Sequence, residues 1–341
     1  MKKIVLWALA ALTLTGCELG NLGFYLYPQA ASSTGISEER ATGPLAGLEV
    51  VGYLPAYKIP TIDPAQVRHL TDLVYFTLTP REDGDLYREA LTPDRIDFLL
   101  KVKKEFGTRI LIGVTDHNRQ GALAAIVRKP SLRQKFAANL AGFLQEEGFD
   151  GADFDWEYPG TEDLASYAEL FKEVRRTFGP LGLRLTVAVS PSRPLTKAAY
   201  DAVDRVHGML YDDWGRHSTL ENSTAHVQEM IDQGVDPAKL LLGVPFYGRG
   251  YTPSGPSWSS AVSYKTLKER YRLTPDQDTV SGYYFNGAET VRRKVRYAKS
   301  AGLSGVMVWE IGQDTSDDSS LLGAISEARK DLARTNEPGR L

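Results

Sequence analysis

The chain has 341 residues, of which 42% are apolar and 24% charged, an ordinary globular composition. A formal net charge of −3 excludes the basic field that would draw the protein to nucleic acid or anionic lipid, and a single cysteine, Cys17, excludes any internal disulfide. The length admits two domains, or one α/β barrel.

At the N-terminus, MKKIVLWALAALTLTGC places two lysines before an apolar run and small residues before the cysteine. This reads as a secretory signal over residues 1–16, too short to span a bilayer comfortably. Its end, LTGC, resembles the bacterial lipoprotein signal, which implies that Cys17 becomes the lipidated first residue of an exported, envelope-anchored protein. Residues 17–46, without sustained periodicity and rich in Gly, Ser, Ala and Pro, read as a flexible tether.

From residue 47 the pattern changes. Nearly continuous apolar runs recur at 48–54, 72–78, 109–114, 149–156, 183–189, 206–211, 239–246 and 304–309. They suit strands buried on both faces, as in a parallel sheet. Segments with helical spacing lie between them, at 93–106, 131–148, 162–178 and 287–302, the last with Gly302 where a C-terminal cap belongs. Eight strands alternating with helices over 47–335 predict a (β/α)8 TIM barrel. The rival is a doubly wound open sheet, but no Gly-rich phosphate turn follows the first strand. The connection from strand 7 to strand 8 is too long for a plain βα unit, so a short α+β insertion is expected at about 250–286. The basic run RRKVRYAK at 292–299 reads as the wet face of a helix.

The most informative stretch is DGADFDWEYPG, residues 150–160. On a strand, alternate side chains share a face, so Asp153, Asp155 and Glu157 point one way and Phe154 and Trp156 the other. In a barrel the carboxylates then face the axis, and Glu157 lies at the C-terminal end where barrel enzymes carry out their chemistry. Strand rise separates successive carboxylates by ~6.6 Å, worth ~2.5 kcal/mol of repulsion, so one of the three should keep its proton near neutrality, as a general acid must. A divalent metal, a structural ion-pair network and a solvated surface are the competing readings. Alternating carboxylates converge poorly on an octahedral ion, and none of His69, His117, His207, His217 or His226 falls in a metal-ligand spacing. No metal or cofactor is expected.

DGADFDWEYP resembles the DGxDxDxExP strand of glycoside hydrolase family 18, the chitinases and endo-β-N-acetylglucosaminidases. GMLYDDWG (208–215), GVPFYGR (243–249), GVMVWEIGQD (305–314) and VGYLPAY (51–57) resemble the sixth-, seventh-, eighth- and first-strand segments of that family, in the right order. The resemblance implies a retaining hydrolase of β-1,4 links after N-acetylglucosamine, in which the substrate's own acetamido oxygen is the nucleophile. It makes Glu157 the general acid/base and has Asp155 hold the acetamido N–H. Asp153 would share a proton with Asp155, and Tyr211 would donate to the acetamido carbonyl. Trp309 becomes the floor under the −1 sugar and Asp212 a partner of a sugar hydroxyl, with Met209, Tyr53, Phe76 and Tyr247 as further substrate contacts. The partner implied is an N-acetylglucosamine polysaccharide or oligosaccharide, bound by a monomer. Two departures bear on groove shape. The family's SxGG after strand 3 is replaced by LIGVTDHN, with Gly113 alone, and the insertion is shorter than in processive chitinases, which implies a shallower groove. Chitin, N-glycan core and peptidoglycan remain open as substrates. A non-catalytic sugar-binding lipoprotein is the alternative of another class, and an intact Glu157 favours catalysis over it.

Overall fold

The eight apolar runs form eight parallel strands: β1 (Glu49–Pro55), β2 (Asp72–Pro80), β3 (Arg109–Val114), β4 (Gly151–Phe154), β5 (Arg184–Val189), β6 (Arg205–Gly208), β7 (Leu240–Pro245) and β8 (Gly305–Trp309). Each pairs with its neighbours in chain order, and β1 pairs with both β2 and β8, closing the sheet into a barrel. The computed structural model describes residues 47–116, 121–252, 255–256 and 260–335. The signal, Cys17, the tether and His117 lie outside the described residues.

Two cores follow from the alternation of side chains along buried strands. Val51 and Tyr53 of β1 join Val74, Leu111, Leu241 and Met307 inside the barrel. Val50 and Leu54, one residue out of phase, join the much larger core between sheet and helices. The helices α1 (Pro93–Phe106), α2 (Ala122–Arg128), α3 (Pro130–Glu147), α4 (Leu164–Phe178), α5 (Lys197–Ala202) and α6 (Leu220–Asp232) follow in the connections. Local chemistry fixes their limits. Proline opens α1 and α3, where its missing N–H loses nothing, and Gly107 and Gly148 end them at φ 68° and 74°.

Between β7 and β8 lies the insertion. Its central strand, Tyr247–Thr252, pairs antiparallel with Gly255–Pro256, Val262–Ser263 and Tyr283–Tyr284, and α7 (Tyr264–Arg270) packs beside it. The chain then returns through α8 (Ala288–Ser300) and β8 to α9 (Leu321–Thr335). Gly302 lies just beyond α8 with φ 70°, as a capping glycine does.

Two strands are shorter than their apolar runs. β4 ends at Phe154 rather than residue 156, and β6 at Gly208 rather than 211. The Asp155 N–H still reaches the Val114 carbonyl at 2.9 Å, but Val114 is the last residue of β3, so the ladder has no rung beyond it. Asp155, Glu157 and Tyr211 therefore stand on the loops of the barrel's C-terminal rim rather than within strands.

Candidate active site

The acid segment rises from the barrel interior to its mouth. Asp153 is fully buried inside β4. Tyr53 donates its hydroxyl to Asp153 Oδ2 at 2.6 Å, Thr186 donates to Oδ1, and His207 Nδ1 lies 3.1 Å from the same oxygen. The Tyr53 hydroxyl is also 2.8 Å from His207 Nδ1, so β1, β4, β5 and β6 meet on one carboxylate. Two residues on, Asp155 is buried at the barrel mouth, and Glu157 is exposed in the groove above it. Phe154 and Trp156 take the opposite face: Phe154 packs on Phe136, Tyr167 and Phe171, and Trp156 meets Tyr167 edge-on at 5.2 Å. Asp150 is structural. It accepts from the Ile110 N–H and from Lys103, both at 2.8 Å, tying β4 to β3 and α1.

The carboxyl held well above the ordinary aspartate range is that of Asp155. Burial is the main cause, and the charges of Glu157 and Asp153 add to it. Repulsion along an extended strand predicts a raised carboxyl without saying which one. Its place at the mouth singles out Asp155, whose Oδ1 is buried without a hydrogen-bond partner.

Across the groove stand Met209, Tyr211 and Asp212. Burial, and then the neighbouring Tyr247 and Asp155, push the Tyr211 phenol well above its ordinary range, so it stays protonated and able to donate. Asp212 has φ 68°, a left-handed conformation that aspartate tolerates better than most residues. Burial would raise its carboxyl, but the Arg249 guanidinium and the hydroxyl of Tyr247 hold it well below the usual range. Arg249 donates to both oxygens and Tyr247 OH donates to Oδ1 at 2.7 Å. Met307, Trp309 and Gln313 complete a groove of about 610 Å³. The Trp309 ring stands on Phe76, 5.1 Å away at 88°, and on Tyr53, 5.6 Å away at 54°.

The structure thus brings Asp153, Asp155, Glu157, Met209, Tyr211, Asp212, Tyr247 and Trp309 together at one end of the barrel, with Tyr53 also lining the groove, while Phe76 alone of the expected sugar contacts lies behind it. Phe76 backs the Trp309 ring and is not part of the groove wall. Tyr53 is buried and its hydroxyl is committed to Asp153; Tyr247 is buried with its hydroxyl on Asp212. Both line the groove with their rings while their hydroxyls are held by these carboxylates.

Several groove residues were not singled out from the sequence. Arg249 stood unremarked at the end of GVPFYGR. Tyr158, the next residue after Glu157, lies under the Arg193 guanidinium at 5.7 Å, and burial and the Glu157 charge push its phenol up. Trp214, 73% exposed, lines the groove with Asp213 and His226. Only Trp214 carried a signal, a tryptophan in the polar context DDWGR. Among the described residues, no group of three or more His, Cys, Asp or Glu side chains is placed to hold a metal ion.

This combination of closed barrel and acid-bearing rim has known counterparts. Residues 49–314 match Glycosyl hydrolases family 18, and the chain belongs to that family. It is 28% identical over 260 residues to chitotriosidase-1 of Mus musculus, covering 55% of this chain and 54% of that one. With a probable chitinase 10 of Drosophila melanogaster it shares 25% identity over 280 residues, 62% of this chain but 12% of the much longer relative. The chain therefore spans about half, or far less, of these two relatives. A family 18 chitinase from the chitin utilization locus of Flavobacterium johnsoniae superposes with TM-score 0.74 at 26% identity, covering 84% of this chain and 94% of that one.

Proposed function

We propose that the protein hydrolyses β-1,4 links between N-acetylglucosamine units, with chitin oligosaccharides as the preferred substrate, by a retaining, substrate-assisted route. One observation carries this reading: beneath the exposed Glu157, Asp155 presents a buried carboxyl oxygen that no protein donor meets. An acetamido N–H of a sugar in the groove supplies a donor of the right chemistry. With the N–H held by Asp155 and the carbonyl by the Tyr211 hydroxyl, the acetamido oxygen bonds to the anomeric carbon. The glycosidic C–O bond breaks, and its electron pair stays on the departing oxygen, which takes the proton of Glu157. Water then attacks the anomeric carbon, gives its proton to the Glu157 carboxylate and reopens the oxazolinium ring. Asp155 steadies the positive charge that develops on the acetamide nitrogen, and Trp309 offers its face to the sugar ring.

A parallel assay of chitotetraose, a high-mannose glycoprotein, purified cell-wall glycan and cellotetraose tests the reading, with NMR of early product. Chitotetraose should be cleaved and its first product should be the β anomer. An initial α anomer or ready cleavage of cellotetraose would overturn the mechanism. Preferential release of the glycoprotein's glycan, or of cell-wall fragments, would move the substrate to the endo-β-N-acetylglucosaminidase or peptidoglycan class.

We also infer from the sequence of the first 46 residues that the protein is exported and anchored by lipid at Cys17. A Cys17→Ser chain should leave the membrane fraction with its activity per molecule unchanged. Persistence in that fraction would refute the anchor.

A further inference from the structure

The basic run 292–299 does not lie wholly in water. Arg293 and Arg296 are exposed and Arg292 pairs with Glu327 at 2.8 Å, yet Lys294 between them is fully buried. Burial pushes its ammonium down to about 7, against the pull of Asp278, Asp213 and Glu221. A buried amine in place of a leucine or methionine is costly unless its hydrogen bonds hold something that matters.

What it holds is the loop between β6 and α6, which carries Tyr211, Asp212 and Trp214. Lys294 Nζ donates to Ser218 Oγ at 2.7 Å, and Ser218 Oγ donates to the Leu210 carbonyl at 3.0 Å, on the peptide that leads into Tyr211. Asn286 donates to the Ser218 carbonyl at 2.8 Å, so the segment before α8 grips the same residue. Next to Ser218, His217 is fully buried, its ring 5.2 Å from that of Tyr247 and its Nδ1 3.5 Å from Asp212 Oδ1. The far end of the loop is fixed by Thr219, whose hydroxyl caps α6. A stretch with no strand or helix of its own is thus braced from behind, against the groove.

We propose that Lys294 is a positioning residue: through Ser218 it sets the Leu210 carbonyl, on the peptide that leads into Tyr211, and so aims the Tyr211 hydroxyl into the groove. The proposal rests on the reading of Tyr211 as donor to the acetamide, and its test separates the two. Lys294→Met keeps the stem and removes the donor. On chitotetraose it should lower kcat/KM by roughly ten- to a hundredfold, the scale of a misplaced catalytic group. Calorimetric stoichiometry for a thiazoline analogue of the oxazolinium should stay that of the wild type, because the stoichiometry counts folded sites. In a Tyr211→Phe background the same change should lose almost nothing more, because the hydroxyl it aims is gone.

Losses that multiply in the double variant, or a Lys294→Met enzyme as active as wild type, would overturn the proposal while leaving the catalytic reading in place. A wild type inert on chitotetraose would instead sink the substrate reading. The brace is then decided by NMR on tyrosine-labelled protein, with the Tyr211 resonance assigned by its loss in Tyr211→Phe. That resonance should shift in Lys294→Met, and an unmoved resonance would refute the brace. Should Lys294→Met fail to fold, Ser218→Ala removes the middle of the chain and is read in the same two ways.

Discussion

Asp155 and Glu157 are two residues apart, yet their surroundings give them different work. Glu157 stands exposed in the groove, where the proposed mechanism has it exchange a proton with substrate and water, whereas Asp155 is buried and keeps its proton to well above the ordinary range. Glu157→Gln should therefore abolish general-acid catalysis, lowering kcat by about 10²–10⁴ while chitotetraose still binds. Asp155→Asn should also cut kcat strongly, because in the proposed mechanism its contribution falls on the charged transition state. The buried carboxyl has a stability signature as well. A folded-state pKa raised above the unfolded one means that the native state binds more protons in the window between the two. Stability then falls as pH rises through that window. Asp155→Asn lacks this slope. Its thermal midpoint should gain on wild type from about pH 4 upward, as melts across pH 4–8 will show; parallel curves would refute the assignment.

At the scale of elements, the site depends on how closely β6 and β7 approach. A Cβ on Gly243 of β7 would lie 2.2 Å from the Gly208 carbonyl oxygen, 2.9 Å from the Leu210 nitrogen and 3.0 Å from Tyr211 Cε1. Two of these atoms are backbone, so the strands themselves must part. Gly243→Ala should cost about 1–3 kcal/mol, the usual penalty of overpacking, seen as a lower thermal midpoint. Activity should fall further than stability at a temperature where the variant is fully folded, because the displaced atoms belong to the segment that carries Tyr211. Wild-type kcat in a destabilised variant would show that the rim does not follow the strands. The insertion reaches the site in a similar way. Its first strand places Tyr247 and Arg249 on Asp212, so a segment outside the barrel repeat sets the charge state of a rim residue.

At the scale of the whole molecule, the barrel has a chemical mouth and an ionic floor. The first residues of five strands, Glu49, Asp72, Arg109, Arg184 and Arg205, form one network at the N-terminal end. Glu49 accepts from Arg184 and, at 2.9 and 3.0 Å, from Arg205. Asp72 accepts from Arg109 at 2.7 and 2.8 Å and lies 3.5 Å from Arg184. Burial would raise the Asp72 carboxyl, but Arg109 and Arg184 hold it below the ordinary value. Its stabilisation is therefore full above the unfolded-state pKa and is lost as pH falls through the folded one. Asp72→Asn should cost about 1–3 kcal/mol at pH 7, where it leaves guanidinium donors unmatched, and the deficit should shrink below pH 4. Melts of both proteins between pH 7 and 3 check this, and a constant gap would refute it.

Much of this was legible in the sequence, for reasons specific to each part. Strands buried on both faces must be apolar throughout, so their number and order appear as eight short runs, and β3 was delimited to the residue. The acid segment showed itself because a two-residue period sorts Asp153, Asp155 and Glu157 from Phe154 and Trp156 before any folding is known. Strand ends were less clear, since β4 stops where β3 has no further carbonyl to offer, and that depends on a neighbour. The same dependence governs what only the tertiary structure decided. Which carboxyl keeps its proton follows from depth at the barrel mouth. That Tyr53, Tyr247 and Phe76 hold other site residues was not legible, because their partners Asp153, Asp212 and Trp309 are distant in sequence. Lys294 lay inside a run that local pattern assigns to water, and only the closing of α8 over the β6 loop buried it. Periodicity records what each element needs of its own environment. It carries no record of which distant residue arrives to complete a hydrogen bond, and that is settled when the barrel closes.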